Sequence, residues 1–135
     1  MVNFSLSAKA FIVRDNKLLL LKRPDHTIHR PGIWELPGGR IKHGENPFLE
    51  IMRETKEKTG LEIEVKEPLT VRHFVRDDNQ TITMIIFLCE ALNNEVKISD
   101  EHVEFTWIDL DKCKGKIHPW FYKEIDTYLK RTFIN

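Results

Sequence analysis

The stretch from Gly38 to Leu61, GGRIKHGENPFLEIMRETKEKTGL, constrains this chain more than any other. A glycine pair and a polar loop lead into Asn46-Pro47, and a run with helical periodicity then stops at Gly60. Asn46 can cap the first free backbone N–H groups, Pro47 at the first helical position gives up no needed donor, and Gly60 can take the left-handed conformation that ends a helix. The spacing predicts a helix over about residues 47–59. At about 100° per residue, Glu50, Arg53, Glu54 and Glu57 share one stripe, while Phe48, Met52, Thr55 and Thr59 fall opposite, on the face expected to pack. Carboxylates this close repel one another by a few tenths of a kcal/mol per pair. Either Arg53 or a hard divalent ion relieves them, because Mg²⁺ and Mn²⁺ prefer clustered carboxylate oxygens. The plain alternative is a solvated face offset by Arg53, Lys56 and Lys58, since most charge runs are surface.

The loop ahead of the helix shifts that balance. Gly39, Glu45, Arg53-Glu54, Glu57 and Gly60-Leu61 resemble the Nudix box, G-x5-E-x7-R-E-U-x-E-E-x-G-U, where U is bulky and apolar. Trp34-Glu35-Leu36-Pro37-Gly38 resembles the family's usual lead-in. Two fixed positions depart from the pattern. Thr55 stands where a bulky apolar residue belongs, a mild change because its methyl can still face a core. Lys58 stands at the second glutamate of the E-E pair. Both of those glutamates usually help bind divalent metal in the family, so the ammonium removes a ligand and adds positive charge.

The resemblance implies a Nudix-type α/β/α sandwich with a mixed sheet, the box forming loop-helix-loop, over a single domain spanning residues 1–135. It implies a Mg²⁺- or Mn²⁺-dependent hydrolase acting on a phosphoanhydride in a nucleoside diphosphate linked to another moiety. The short chain and WELPGG lead-in favour a MutT-like nucleoside triphosphate pyrophosphohydrolase. ADP-ribose or a dinucleotide stands as the alternative substrate, and a catalytically weak nucleotide-binding domain as the alternative function. By the same resemblance Glu54 and Glu57 are metal ligands, joined by a backbone carbonyl at Gly38 or Gly39. Arg53 and Glu45 form a supporting ion pair between helix and loop. The base is Glu54 or a glutamate ahead of the last strand, Glu101 before Glu104, and Glu50 can partly replace the ligand lost at position 58. Arg23 is a phosphate contact, as in MutT-like members. Among the aromatics, Trp34, Phe74 and Trp120 are candidates to stack on a base, and His26, His29 and Arg30 lie in a loop that can touch substrate. Lys58 has two readings: an i, i+4 ion pair with Glu54 that competes with metal, or a charge directed at a substrate phosphate.

Whole-chain properties narrow the partners. Lys plus Arg and Asp plus Glu both number 21, giving zero net charge and no bulk pull toward a nucleic-acid polymer or an anionic membrane. Phosphate recognition must therefore be local. Cys89 and Cys113 lack metal-ligand spacing and read as reduced thiols, and no apolar run approaches membrane-spanning length. A cytoplasmic, soluble protein, monomer or homodimer, is expected.

Along the chain, Phe4–Val13 and Lys17–Arg23 read as a hairpin across Asp15-Asn16, and PDHTIHRPGI as an irregular loop over residues 24–33. Glu62–Arg76 reads as a strand interrupted near Pro68, turning at residues 77–80 into the apolar, central Thr81–Ala91. A short strand is expected at Phe105–Ile108. From His118 on, Phe121, Ile125, Tyr128 and Leu129 mark the packing stripe of a closing helix.

Overall fold

A computed structural model describes residues 3–134, with side chains through residue 131. The strands β1 (Phe4–Arg14) and β2 (Lys17–Lys22) form the expected hairpin, with Asp15 and Asn16 both in left-handed backbone at φ 50° and 63°. Then come β3 (Trp34–Glu35), β4 (Gly38–Ile41), α1 (Pro47–Thr59), β5 (Ile63–Val75), β6 (Thr81–Ala91), β7 (Glu104–Asp109) and α2 (Tyr122–Ile134). The sheet runs β3-β2-β1-β6-β5, with β4 pairing to β1 and β7 to β2. β1 and β6 pair in parallel and the other pairs among the described residues are antiparallel, so the sheet is mixed.

Two cores explain why β1 and β2 are apolar without alternation. In a strand, successive side chains face opposite sides. Leu18 and Leu20 enter one core with Phe11, Ile86, Phe121 and Ile125, beneath α2. Leu19 and Leu21 enter the other with Ala10, Ile12, Phe87, Ile51 and Leu61, beneath α1. A sheet covered on both faces by helices is the expected α/β/α sandwich. Burying each of these side chains contributes about 1.5–3 kcal/mol before conformational entropy is set against it.

The helix α1 is capped as its sequence dictates. The Asn46 side chain accepts from Phe48 N, and Gly60, at φ 75°, donates its N–H to the Lys56 carbonyl. Its packing face is rotated from the expected one: Ile51, Thr55 and Thr59 are buried, whereas Phe48 and Met52 are 48 % and 39 % exposed. Ile51 draws the helix onto Phe87 and Leu61, leaving Phe48 half-exposed with its ring 5.0 Å from that of Phe87. On α2, Phe121 and Ile125 are buried and Tyr128 packs on Phe11, but Leu129 lies at the margin, 39 % exposed. β5 is one strand; the interruption at Pro68 is absorbed by register shifts at Val65/Glu67 and Pro68/Thr70.

No element was expected between the 24–33 loop and α1, yet β3 and β4 are strands. Gly38 makes β4 possible: a Cβ there would lie 2.0 Å from the Ala8 carbonyl oxygen. Without one, β4 lies flat on β1 in the register Ala8↔Gly39, Lys9↔Gly38. Among the described residues no helix is long and apolar enough to cross a membrane.

Candidate active site

β4 and the C-terminal half of α1 lie side by side, and between them the box residues meet. The Lys58 ammonium donates to the Gly38 carbonyl and stands 3.3 Å from Glu54 Oε2 and 3.7 Å from Glu101 Oε2. Glu101 arrives from the turn before β7 and keeps 62 % of its side chain exposed. Gly39 keeps this hollow open, since a Cβ at that position would sit 2.8 Å from Glu54 Oε2 and 3.2 Å from Lys58 Nζ.

On the outer side of the same stripe Arg53 is the hub. Its guanidinium meets Glu50 Oε2 at 2.6 Å, Glu54 Oε1 at 2.9 Å and Glu57 Oε2 at 3.0 Å. The hydrogen bond from Arg53 holds the Glu50 carboxyl below its ordinary range. The expected Arg53–Glu45 ion pair is replaced. Glu45 Oε1 accepts from the Lys42 backbone N–H at 2.7 Å, closing its own loop, and Arg53 goes to Glu50 instead. Three glutamates on its own helix outcompete one across the loop.

The fit to a divalent ion differs between the two sides. Glu54 and Glu57 converge on one cation from adjacent turns, and that cation, Arg53, is 49 % exposed and borders solvent. Two carboxylates completed by substrate oxygens suffice for a magnesium-sized ion. The inner hollow does not fit one, because Lys58 fills it. Among the described residues no three His, Cys, Asp or Glu side chains are arranged to hold a metal.

Behind the hollow lies a buried ionic cluster that the sequence reading missed. Glu35, 1 % exposed, takes Lys9 Nζ at 3.3 Å, Arg23 Nη1 at 3.2 Å and His102 Nε2 at 2.9 Å. Burial pushes its carboxyl up, but Lys9, the His102 hydrogen bond and Arg23 outweigh that and hold it well below the usual carboxylate range. Lys9 and Glu35 gave a signal: each is a lone charge in apolar strand sequence, and a buried charge demands a partner. Arg23 also donates to the His29 carbonyl at 3.2 Å, which ties the 24–33 loop to the site.

A cleft opens over these groups in two connected parts. The first, of about 280 Å³, presents Lys9, Arg23, Arg30, Arg40, Lys58 and Arg76 against Glu35 and Glu101. The second, of about 350 Å³, is lined by Ile28, Phe74, Ile82, Met84, His118 and Trp120. Ser7, Arg30, Arg76, Ile82 and Met84 border both. The Trp120 ring is fixed by the Arg72 guanidinium 3.8 Å from its centroid and by the Phe74 edge at 5.4 Å, and Arg72 is itself anchored on the fully buried Glu124 at 2.8 Å. Trp34 is not brought to this cleft and carries Lys116 over its ring at 4.5 Å. Glu104 pairs with Lys22 at 3.6 Å.

A glycine-bounded strand, a capped acidic helix and a cationic cleft are the parts a box of this kind needs, and comparison with known proteins settles the family. The NUDIX domain profile matches residues 4–128. The chain belongs to the Nudix family. It is 33 % identical over 108 residues to an ADP-ribose pyrophosphatase of Methanocaldococcus jannaschii, a match covering 79 % of this chain and 63 % of that one. A MutT-like protein of Streptomyces ambofaciens is 31 % identical over 114 residues, covering 84 % of this chain and 69 % of the relative. The crystal structure of a MutT protein from Methanosarcina mazei superposes with a TM-score of 0.85 at 25 % identity, covering 97 % and 96 % of the two chains. Nudix hydrolases generally use divalent metals, typically Mg²⁺.

Proposed function

We propose that this Nudix protein hydrolyses a phosphoanhydride bond in a nucleoside diphosphate linked to another moiety, with a nucleoside triphosphate as the leading substrate class and Mg²⁺ or Mn²⁺ as cofactor. The observation that carries this reading is the two-part cleft, with a cationic end against Glu35 and Glu101 and an aromatic end at Phe74 and Trp120. Such a cleft matches a molecule with a polyphosphate at one end and a flat ring at the other.

In this reading Arg23, Arg30 and Arg76 bind phosphate oxygens, Lys58 faces them with its charge, and Trp120, fixed by Arg72, borders the end of the cleft where the base lies. Glu54 and Glu57 are the residues that would hold a divalent ion on the Arg53 side, with Arg53 released to solvent. When bound, such an ion neutralises phosphate oxygens and lowers the pKa of a coordinated water. Glu101, largely exposed and tethered to Lys58, accepts the proton of the attacking water. Glu45 fixes the loop through Lys42, and Gly38 and Gly39 supply uncrowded backbone. Buried free thiols at Cys89 and Cys113 support the cytoplasmic location expected above.

A second reading, ADP-ribose as substrate, is favoured by the name of the M. jannaschii relative. A panel of nucleoside triphosphates, ADP-ribose and dinucleotides, assayed with and without Mg²⁺, separates the two. Glu54→Gln should lower kcat by about 100-fold or more, the scale of removing a positioned acid–base or charge-stabilising group. Trp120→Ala should act mainly on KM. Nucleotide binding with no turnover at any Mg²⁺ or Mn²⁺ concentration would replace hydrolysis with a purely binding role.

A further inference from the structure

Lys58 departs from its family's pattern at a position that normally helps hold metal, and its surroundings are unusual for a helix lysine. The side chain is only 15 % exposed. Its partners come from three separate parts of the chain: a backbone carbonyl of β4, a carboxylate four residues earlier on α1, and a carboxylate from the turn before β7. An ammonium has three donors and no acceptor. A hollow of three oxygens therefore suits it as fully as it would suit a bare cation.

Glu54 is bracketed, with Oε1 on Arg53 and Oε2 on Lys58. A dication reaching Glu54 must displace one of them. Arg53 is half exposed and can hydrate on leaving, whereas Lys58 would have to abandon a carbonyl and two carboxylates from a nearly closed position. Gly39 lets these groups sit close, since a Cβ there would lie 2.8 Å from Glu54 Oε2 and 3.2 Å from Lys58 Nζ and both side-chain ends would have to shift.

We propose that the Lys58 ammonium is the inner cation of this site, a tethered replacement for one divalent ion at Gly38, Glu54 and Glu101. The protein then binds one ion at most along this stripe, at Glu54 and Glu57. The positive charge facing the substrate's phosphates is present before any metal arrives. The consequence for phosphate binding rests on the hydrolase reading given above; the ion count does not.

The test counts bound Mn²⁺ by electron paramagnetic resonance and titration calorimetry in the wild type, Lys58→Glu and Lys58→Met. The wild type should bind at most one weak ion. Lys58→Glu should gain a further ion, held on the order of 100-fold more tightly, because a cation in the hollow is exchanged for an anion. Lys58→Met, similar in bulk and uncharged, should gain the same ion more weakly. A metal-free wild type should also retain binding of a non-hydrolysable nucleotide analogue that Lys58→Glu loses. Equal ion counts and affinities in all three folded proteins would overturn the proposal. If Lys58→Glu fails to fold, Lys58→Met decides, and no gain over wild type refutes it. Absence of turnover in every form would instead refute the hydrolase reading and leave the ion count to stand or fall by itself.

Discussion

Replacing Glu35 by Gln removes one charge, keeps the shape and leaves three cationic or donor groups facing an amide. Lys9, with 9 % of its side chain exposed, then holds an ammonium with no counter-charge in the sheet; its other bond is to the Leu36 carbonyl at 3.2 Å. Breaking a buried pair from one side costs about 3–5 kcal/mol. Arg23, 26 % exposed, can turn partly to water, so its lost contact adds no more than about 1 kcal/mol. For a chain of this length 1 kcal/mol corresponds to about 3–4 °C in Tm, so Glu35→Gln should melt about 10–20 °C below wild type. The pH dependence has a definite sign. Glu35 is held below its unfolded value near 4.3, so its contribution is complete above that pH and is lost as pH falls through the lower folded value. Gln does not titrate, so the gap between the two proteins should be widest near neutrality and close in acid. Lys9→Met combined with Glu35→Gln should recover most of the loss, since no orphaned ammonium remains. Calorimetric melting from pH 3 to 8 measures all of this. A deficit below about 3 °C at pH 7, or one that does not shrink in acid, refutes the assignment of the cluster as a buried charge network.

Two further outcomes follow from groups outside that cluster. Thr55 is fully buried on α1 with a hydroxyl that has no hydrogen-bond partner, so Thr55→Val should stabilise the fold by about 1–2 kcal/mol, seen as a higher urea midpoint at unchanged slope. Cys89 is 2 % exposed and burial pushes its thiol up to about 12, so it should resist alkylation at pH 8 until the protein is unfolded, monitored by mass spectrometry.

The parts of the fold that were legible in the sequence are those written in local chemistry. Asn46, Pro47 and Gly60 delimit α1 because caps act within a few residues. Asp15-Asn16 sets the first hairpin for the same reason. Periodicity found the acidic stripe but misjudged the packing face, since Phe48 and Met52 are as apolar as Ile51 and only the position of Phe87 on β6 decides which one is buried. β4 escaped notice because four residues, two of them glycine, carry no strand signal; its existence depends on the fit of Gly38 against Ala8. The site divides in the same way. Its α1 members, and the likeness of the box around them, could be read directly. Lys9, Glu35 and His102 lie 26 and 67 residues from one another along the chain, and only the sheet brings them together.

That division bears on how the site's charge is organised. Each of the helix carboxylates, and Glu101 beside them, already has a cation supplied by the chain: Arg53 for Glu50 and Glu57, Arg53 and Lys58 together for Glu54, Lys58 for Glu101. The cleft beyond them presents six cationic side chains against two carboxylates, although the protein as a whole is neutral. Attraction for a polyphosphate thus arises from placement, with fields focused in a concave, partly desolvated cleft. The resulting salt dependence is specific. Added salt should weaken nucleotide binding through the exposed Arg30 and Arg40, yet leave the Lys58 contacts, nearly closed to solvent, in place.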